Sequence, residues 1–414
     1  MEFFTVISPA EARKVLEDFG PREQETVALS EAAGRVSAED IFSPEELPAF
    51  DRATMDGFAV RAADTFGASE SLPAFLRLIG EVPMGGPPPC ALSSGEALRI
   101  YTGGMLPRGA DAVLMDEYAA SADEETIQLV RSAAPWENVL RVGEDLKRGE
   151  LICPEGSRLR PQDIGALAAV GITELRVWRK PRVSVIPTGD ELVAPDEAPS
   201  QAQVRDINRF SLSAAVREAG GVAESCAIVR DDSEALKEAI TDALQHSELI
   251  LISGGSSMGR RDFTVEAIDS LGNPGVLVHG ISIKPGKPTI IGKVQAPDGG
   301  SRVIIGMPGH PVSALMVFRA FIRPLIRRME GLKGWPQDEE ARLKARLSRN
   351  LPSAPGREDY VRVSLERSES GFLAHPLMGS SGSISTMVKA RGYLVIPSES
   401  EGLHEGEEVE VFPF

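Results

Sequence analysis

The sequence predicts a multidomain α/β protein whose centre is a doubly wound, mostly parallel sheet. Three observations carry that expectation. Between residues 181 and 330 short apolar runs (RVSVIPTG, VAESCAIV, ELILISGG, RVIIGMPG) alternate with stretches of helical periodicity, the signature of a parallel sheet with helices on both faces. Residues 47–146 and 341–414 instead carry short β-like runs and no helical period. The chain is 414 residues long, enough at roughly 150 residues per domain for about three separate cores.

The elements follow in order. Ser8, Pro9 and Glu11 form a capping box with proline at the first helical position. Val15, Leu16 and Phe19 give that helix an apolar stripe, and Gly20-Pro21 ends it. The runs FLRLIG and EALRIY and the loop VPMGGPPPC suggest a small β domain over 47–146. PQDIGALAAVGI returns to helix near Pro161 and is expected to pack with the first helix. Together they would form a discontinuous α-rich domain, 1–46 and 147–178. In the sheet domain, 179–330, helices are expected from Asn208 to about Ala219, Ser233 to about Gln245, and Asp262 to about Leu271. A last helix starts at Pro311, with a kink at Pro324. GLKGWPQDEE reads as a linker into a C-terminal β domain, 331–414.

Composition narrows the function classes. Lys plus Arg number 44 against 61 Asp plus Glu, for a formal charge of −17. Such a surface repels nucleic acid and anionic membranes, so neither is an expected partner. Cys90, Cys153 and Cys226 form no CxxC pair, which argues against a disulfide framework or structural zinc and for a reducing, cytoplasmic setting. The N-terminus lacks a signal-peptide core, and no run approaches the ~18–20 apolar residues of a membrane helix.

Ligands of a doubly wound sheet bind outside the carboxyl ends of its strands. Three strands there end in PTGDEL, SGGSSMGRRD and GMPGHP, and a fourth loop reads KPGKP. Gly254 and Gly255 let backbone approach an anion, Ser256 and Ser257 can donate to it, and a helix start follows. A plain strand-to-helix turn would also use these glycines, and the loop fits neither GxGxxG nor GxxxxGK[ST]. Lys284 and Lys287 are held between prolines, as suits a multivalent oxyanion; a solvated basic turn is the bland alternative. Asp190, Glu191 and Asp262 are carboxylates that hold Mg²⁺ rather than an anion, although Asp262 alone could be a helix cap. Asp56, Thr102 and Asp145 lie outside the sheet domain and read locally as turn residues. His310 is either a general base or a loop residue ahead of the Pro311 helix.

Taken together, TMDGFAVRAAD, RIYTGGMLPRGADAVLMDE, VGEDLKRGE, PTGDEL, RDINR, GGSSMGRRDF, KPGKP and GMPGHPVSAL resemble, in that order, the molybdopterin molybdenumtransferase family, which includes the gephyrin C-terminal domain. The resemblance implies insertion of molybdenum from molybdate into adenylylated molybdopterin, with Mg²⁺-dependent release of AMP. It implies a four-domain homodimer with the active site shared between subunits, and a link to the adenylyltransferase of the preceding step. Position by position it assigns catalytic roles to Asp56, Thr102, Asp145, Glu191 and Asp262, with Glu191 and Asp262 handling the metal. It assigns anion binding to Lys284 and Lys287 and a further site position to Ser381. The chain departs from the family at Ser256 and Met258 (usually Val), His310 (Asn), Pro187 (Ser) and Phe58 (Tyr). An adenylyltransferase and a non-catalytic scaffold of the same fold are the competing readings. The first needs only the sheet domain, and the second would not need the charged positions intact.

Overall fold

The computed structural model describes residues 6–21, 23–254, 261–333, 341–369 and 371–414, with Arg261 and Asp262 as backbone only. Two compact units form: one from Met1–Glu25, Gly156–Arg158 and Arg176–Phe414, the other from Thr26–Glu155 and Leu159–Leu175. Among the described residues no helix is long and apolar enough to cross a membrane.

The first unit contains the expected sheet. Strands Val222–Ser225, Arg182–Pro187, Leu249–Ser253 and Ser301–Met307 run parallel in that spatial order, and Ile290–Gln295 and Gly275–His279 extend the sheet antiparallel. Period-two alternation splits each strand between two cores. Val183, Val185, Leu249, Leu251, Val303 and Ile305 face one side. Ile186, Ile250, Ile252 and Ile304 face the other. Helices Asn208–Ala219, Pro311–Val317 and Arg323–Met329 cover the first face, and Ser233–Ala243 and Arg261–Ser270 the second, so the sheet is doubly wound. The expected kink near Pro324 is a π-helical turn, Phe318–Ile322. Proline donates no N–H to the preceding turn, which widens instead.

The N-terminal helix, Pro9–Leu16, has the expected capping box, but its expected partner is corrected. Ala12, Leu16 and Phe19 are buried in the first-face core of the sheet, while helix Pro161–Ala169 packs in the other unit against Leu29–Glu31 and Leu151–Cys153. An amphipathic stripe states that a helix buries one face, not which surface it meets.

The chain after residue 340 closes into a barrel. Glu358–Ser368 pairs with Gly371–Pro376, then Leu343–Leu347, Glu408–Pro413 and Gly392–Ile396 follow, and the last pairs back to Glu358–Ser368. Closure leaves no free edge in the ring. Ile283–Lys284 joins outside it, parallel to Glu358–Asp359.

The second unit is built on a six-stranded sheet in the order Ala112–Met115, Gly57–Val60, Glu96–Ile100, Ala74–Glu81, Thr126–Leu129, Ala119–Ser121, with a core on each face. Gly57 is obligatory there, because a Cβ would overlap the Leu114 carbonyl.

Candidate functional site

Chain order and spatial order diverge at one point in the parallel sheet. From Arg182–Pro187 the chain crosses to Val222–Ser225 on one side and then to Leu249–Ser253 on the other. This reversal opens a crevice at the strands' carboxyl ends. A cavity of about 630 Å³ lies there, lined by Thr188, Glu191, Asp206, Asn208, Ser253, Gly254 and His310 among others.

Backbone geometry brings these loops together. Thr188 N–H donates to Ser253 O at 2.9 Å. Gly254 has φ +144°, and a Cβ would overlap the carbonyl and hydroxyl of Thr188, so only glycine lets the two strand ends meet. The Glu191 carboxylate folds back over Gly189, where a Cβ would stand 2.8 Å from Oε2. Asp190 serves the loop itself. Its N–H donates to Asp231 Oδ2 at 3.0 Å, and its Oδ1 accepts from Asp231 N–H at 3.3 Å. Of the two expected carboxylates, Glu191 therefore lines the cavity. Gly255, Ser256, Ser257 and the Asp262 side chain lie outside the described residues; Asp262 falls at the start of helix Arg261–Ser270.

Three buried polar atoms on residues lining this cavity lack a hydrogen-bond partner among the described residues: Asp206 Oδ2, which is ion-paired with Arg209, and Asn208 Oδ1 and Ser253 Oγ, which have no such pairing. Left unmet, each of the latter two costs on the order of 1–3 kcal/mol, which a ligand offering donors would recover. Asn208 Nδ2 is used, donating to Gly309 O at 2.7 Å. Asp206 accepts from Arg209 N–H at 3.0 Å and pairs with its Nε at 3.1 Å.

A second cavity, about 890 Å³, opens between the KPGKP loop and the barrel, with Lys284, Lys287, His310, Arg357, Asp359, Arg362 and Ser381 in its wall. The Ile283–Lys284 pairing fixes the loop on the barrel. Lys284 is in register with Asp359, and its Nζ stands 3.7 Å from Asp359 Oδ2. Arg357 Nε shares that carboxylate at 2.7 Å. Gly286, φ +119°, is wedged against Val317 and Ile283, and its carbonyl accepts from Thr289 Oγ1 at 2.6 Å. Ser381 Oγ lies 2.8 Å from His310 Nδ1.

In the other unit Asp56 and Thr102 form a pair. The carboxylate accepts from Thr102 N–H at 2.7 Å and from its hydroxyl at 2.8 Å. These bonds hold the Asp56 carboxyl below its ordinary range, the backbone donor first and the hydroxyl second. Asp145 is exposed on a neighbouring loop whose N–H groups bond Leu47 O, and no hydrogen bond joins it to the pair. Asn208, Ser253, Arg357 and Arg362 were not singled out from sequence. RDINR contains Asn208, but the string has no local physical role, and Arg362 lies in a β-like run, YVRVSL, that Arg357 precedes.

Family models match nearly the whole chain: the MoeA N-terminal region (domain I and II) over residues 7–171, a probable molybdopterin binding domain over 184–328, and the MoeA C-terminal region (domain IV) over 344–414. A putative molybdopterin biosynthesis protein of Methanocaldococcus jannaschii is 36% identical over 396 residues, covering 93% of this chain and 91% of its own length. The chain belongs to the MoeA family. A molybdopterin molybdenumtransferase of Haemophilus influenzae is 34% identical, with 95% of each chain covered. The crystal structure of a molybdopterin biosynthesis MoeA protein from Pyrococcus horikoshii superposes with a TM-score of 0.83 at 40% identity, covering 99% of both chains. The MoeA match thus includes the N-terminal and C-terminal regions as well as the sheet.

Proposed function

We propose that the protein is a molybdopterin molybdenumtransferase, which inserts molybdenum from molybdate into adenylylated molybdopterin and releases AMP. The observation that carries this reading is the pair of adjoining cavities in a MoeA-family chain. One, at the switch point, is lined by a carboxylate and buried polar atoms awaiting donors. The other is lined by four cations. An organic nucleotide-bearing ligand suits the first and a tetrahedral oxyanion the second. Neither the adenylyltransferase nor the scaffold reading needs both cavities, and the lone sheet domain that the former requires would lack the barrel arginines.

Lys284 and Lys287, joined by Ser381, would hold molybdate through charge-assisted hydrogen bonds. The loop of Gly254, Gly255, Ser256 and Ser257 would take the phosphates. Glu191 offers the hard oxygen donors that Mg²⁺ prefers and lines the cavity where phosphate oxygens would lie. With Asp262 it would hold the ion, which when bound offsets charge on the phosphoanhydride. Glu191 and Asp262 also fit the handling of the attacking water. Asp56, Thr102 and Asp145 complete the site from a second copy, in a homodimer. The hydrogen bonds on Asp56 hold its carboxyl below the ordinary range, so it serves as a charged acceptor. The cytoplasm, where the three unpaired cysteines stay reduced, is the setting we assign, next to the adenylyltransferase that supplies the substrate.

The test is an AMP-release assay with purified protein, adenylylated molybdopterin, Mg²⁺ and either molybdate or tungstate. Release of AMP with formation of active cofactor supports the reading, and no release overturns it. Lys287→Ala is expected to raise the molybdate requirement at least tenfold, since loss of one charged hydrogen bond costs about 1.5–3 kcal/mol.

A further inference from the structure

His310 is common to both cavities. It stands just before helix Pro311–Val317 and is held from two sides. Asn208, in the strand-end cavity, donates to the carbonyl of the adjacent Gly309 at 2.7 Å. On the other side, Ser381 Oγ meets the imidazole Nδ1 at 2.8 Å, and the Ser381 carbonyl accepts from Val312 N–H at 3.1 Å. A Cβ on Gly382 would lie 4.0 Å from the imidazole Cδ2. The Cδ2 side of the ring is therefore toward Gly382, which lines the strand-end cavity, while Nδ1 is on Ser381, which lines the cationic one.

A neutral imidazole donates from one nitrogen and accepts at the other, so the bond at Nδ1 decides what Nε2 can do. With the cationic cavity empty, the Ser381 hydroxyl can donate to Nδ1, and Nε2 carries the proton. An oxyanion in that cavity draws the hydroxyl proton toward itself. Ser381 Oγ must then accept from Nδ1–H, and Nε2 is left as an acceptor. The ring proton moves from Nε2 to Nδ1 through solvent, without change of charge. The charged groups that share the two cavities with the ring are Lys284, Lys287, Arg357, Asp359 and Arg362 on one side, and Glu191, Arg205 and Asp206 on the other.

We propose that the Ser381–His310 pair is a positioning relay between the two cavities. An oxyanion on Ser381 sets the His310 tautomer, and so favours a ligand that offers Nε2 a donor, such as a hydroxyl or amino group, in the strand-end cavity. This rests on the two-cavity reading given under Proposed function.

The experiment measures binding of molybdate alone, of AMP alone, and of each in the presence of the other, by calorimetry on the full chain. Imidazole ¹⁵N shifts report the tautomer. In the wild type, molybdate is expected to tighten AMP on the order of fivefold and to move the ring proton to Nδ1. In His310→Phe and Ser381→Ala the coupling falls to none. His310→Gln, which keeps a donor and an acceptor, restores most of it. Coupling that survives His310→Phe, or a tautomer indifferent to molybdate, overturns the relay while leaving the two-cavity reading intact. A wild type that binds no molybdate overturns that reading and the relay with it.

Discussion

Replacing Gly254 by alanine tests whether the meeting of two strand ends builds the site. A Cβ at 254 overlaps the Thr188 carbonyl and hydroxyl, and φ is +144°. Holding a side chain in that backbone region costs about 1–3 kcal/mol, and overpacking adds about 1–3 kcal/mol more. Relief comes from moving 188–191 away from 253–254, which displaces Glu191 from the cavity. A displacement of about 1 Å at reacting groups can cost on the order of a hundredfold in rate. The control is Gly272→Ala, whose φ is +117° but whose Cβ meets nothing within 4 Å. It carries the backbone strain without the collision. AMP release is expected to fall on the order of a hundredfold in Gly254→Ala and less than threefold in Gly272→Ala, while molybdate affinity changes less than twofold in both. Equal activity losses in the two variants, or an unaltered rate in Gly254→Ala, would refute the reasoning.

Two further outcomes follow from electrostatics. Thr102→Val removes the hydroxyl donor to Asp56 but leaves the backbone donor. The Asp56 carboxyl should titrate higher than in the wild type, as followed by carboxyl ¹³C shifts; an unchanged titration would deny the hydroxyl any role. The wild-type Asp56, with its pKa lowered on folding, contributes stability that is present above its unfolded pKa and lost as pH falls through its folded one. Glu330 has the opposite sign. Burial pushes its carboxyl up from 4.5 despite the Arg158 guanidinium at 2.8 Å. Its folded pKa exceeds the unfolded one, so folding gains stability from this group as pH falls through the folded value. In denaturant titrations the difference between Glu330→Gln and wild type should shift in favour of wild type as pH falls from neutral toward the ordinary carboxyl value of 4.5; a constant difference would contradict the burial argument.

What was legible in the sequence was local. Helices Asn208–Ala219 and Ser233–Ala243 start at the expected residues because their apolar periods and boundary residues sit within one stretch of chain. Strands Gly275–His279 and Ile290–Gln295, which join the sheet through antiparallel pairings, carry no strand signal in the sequence. Gly275 and His279 leave the first only three apolar residues, and Gly292 and Lys293 interrupt the second, so neither has the continuous pattern of a strand buried on both faces. The first helix gave its stripe but not its partner. The lysine loop was visible as two cations between prolines, yet its arginines lie some 70 positions away on the barrel and reach it only through the pairing of Ile283–Lys284 with Glu358–Asp359. The Asp56–Thr102 pair is likewise a contact across 46 residues, and a turn aspartate carries no local sign of its donor.

That long-range assembly also resolves how a chain with charge −17 offers a site to an anion. Among the described residues of the cationic cavity are Lys284, Lys287, Arg357 and Arg362 against one carboxylate, Asp359. Asp359 is almost fully buried and bonds Arg357 through Oδ1 at 2.7 Å, so its charge is spent fixing a cation rather than facing the anion. At physiological salt, charges more than about 8 Å away are largely screened, and the acidic surface beyond that range has little say in the cavity. The sign of the local field is set by which side chains the barrel and the KPGKP loop bring into one wall. Neutralising distant carboxylates should therefore leave molybdate affinity almost unchanged. Asp359→Asn should weaken it instead, because the asparagine no longer holds the Arg357 guanidinium in place, even though the substitution makes the cavity more positive.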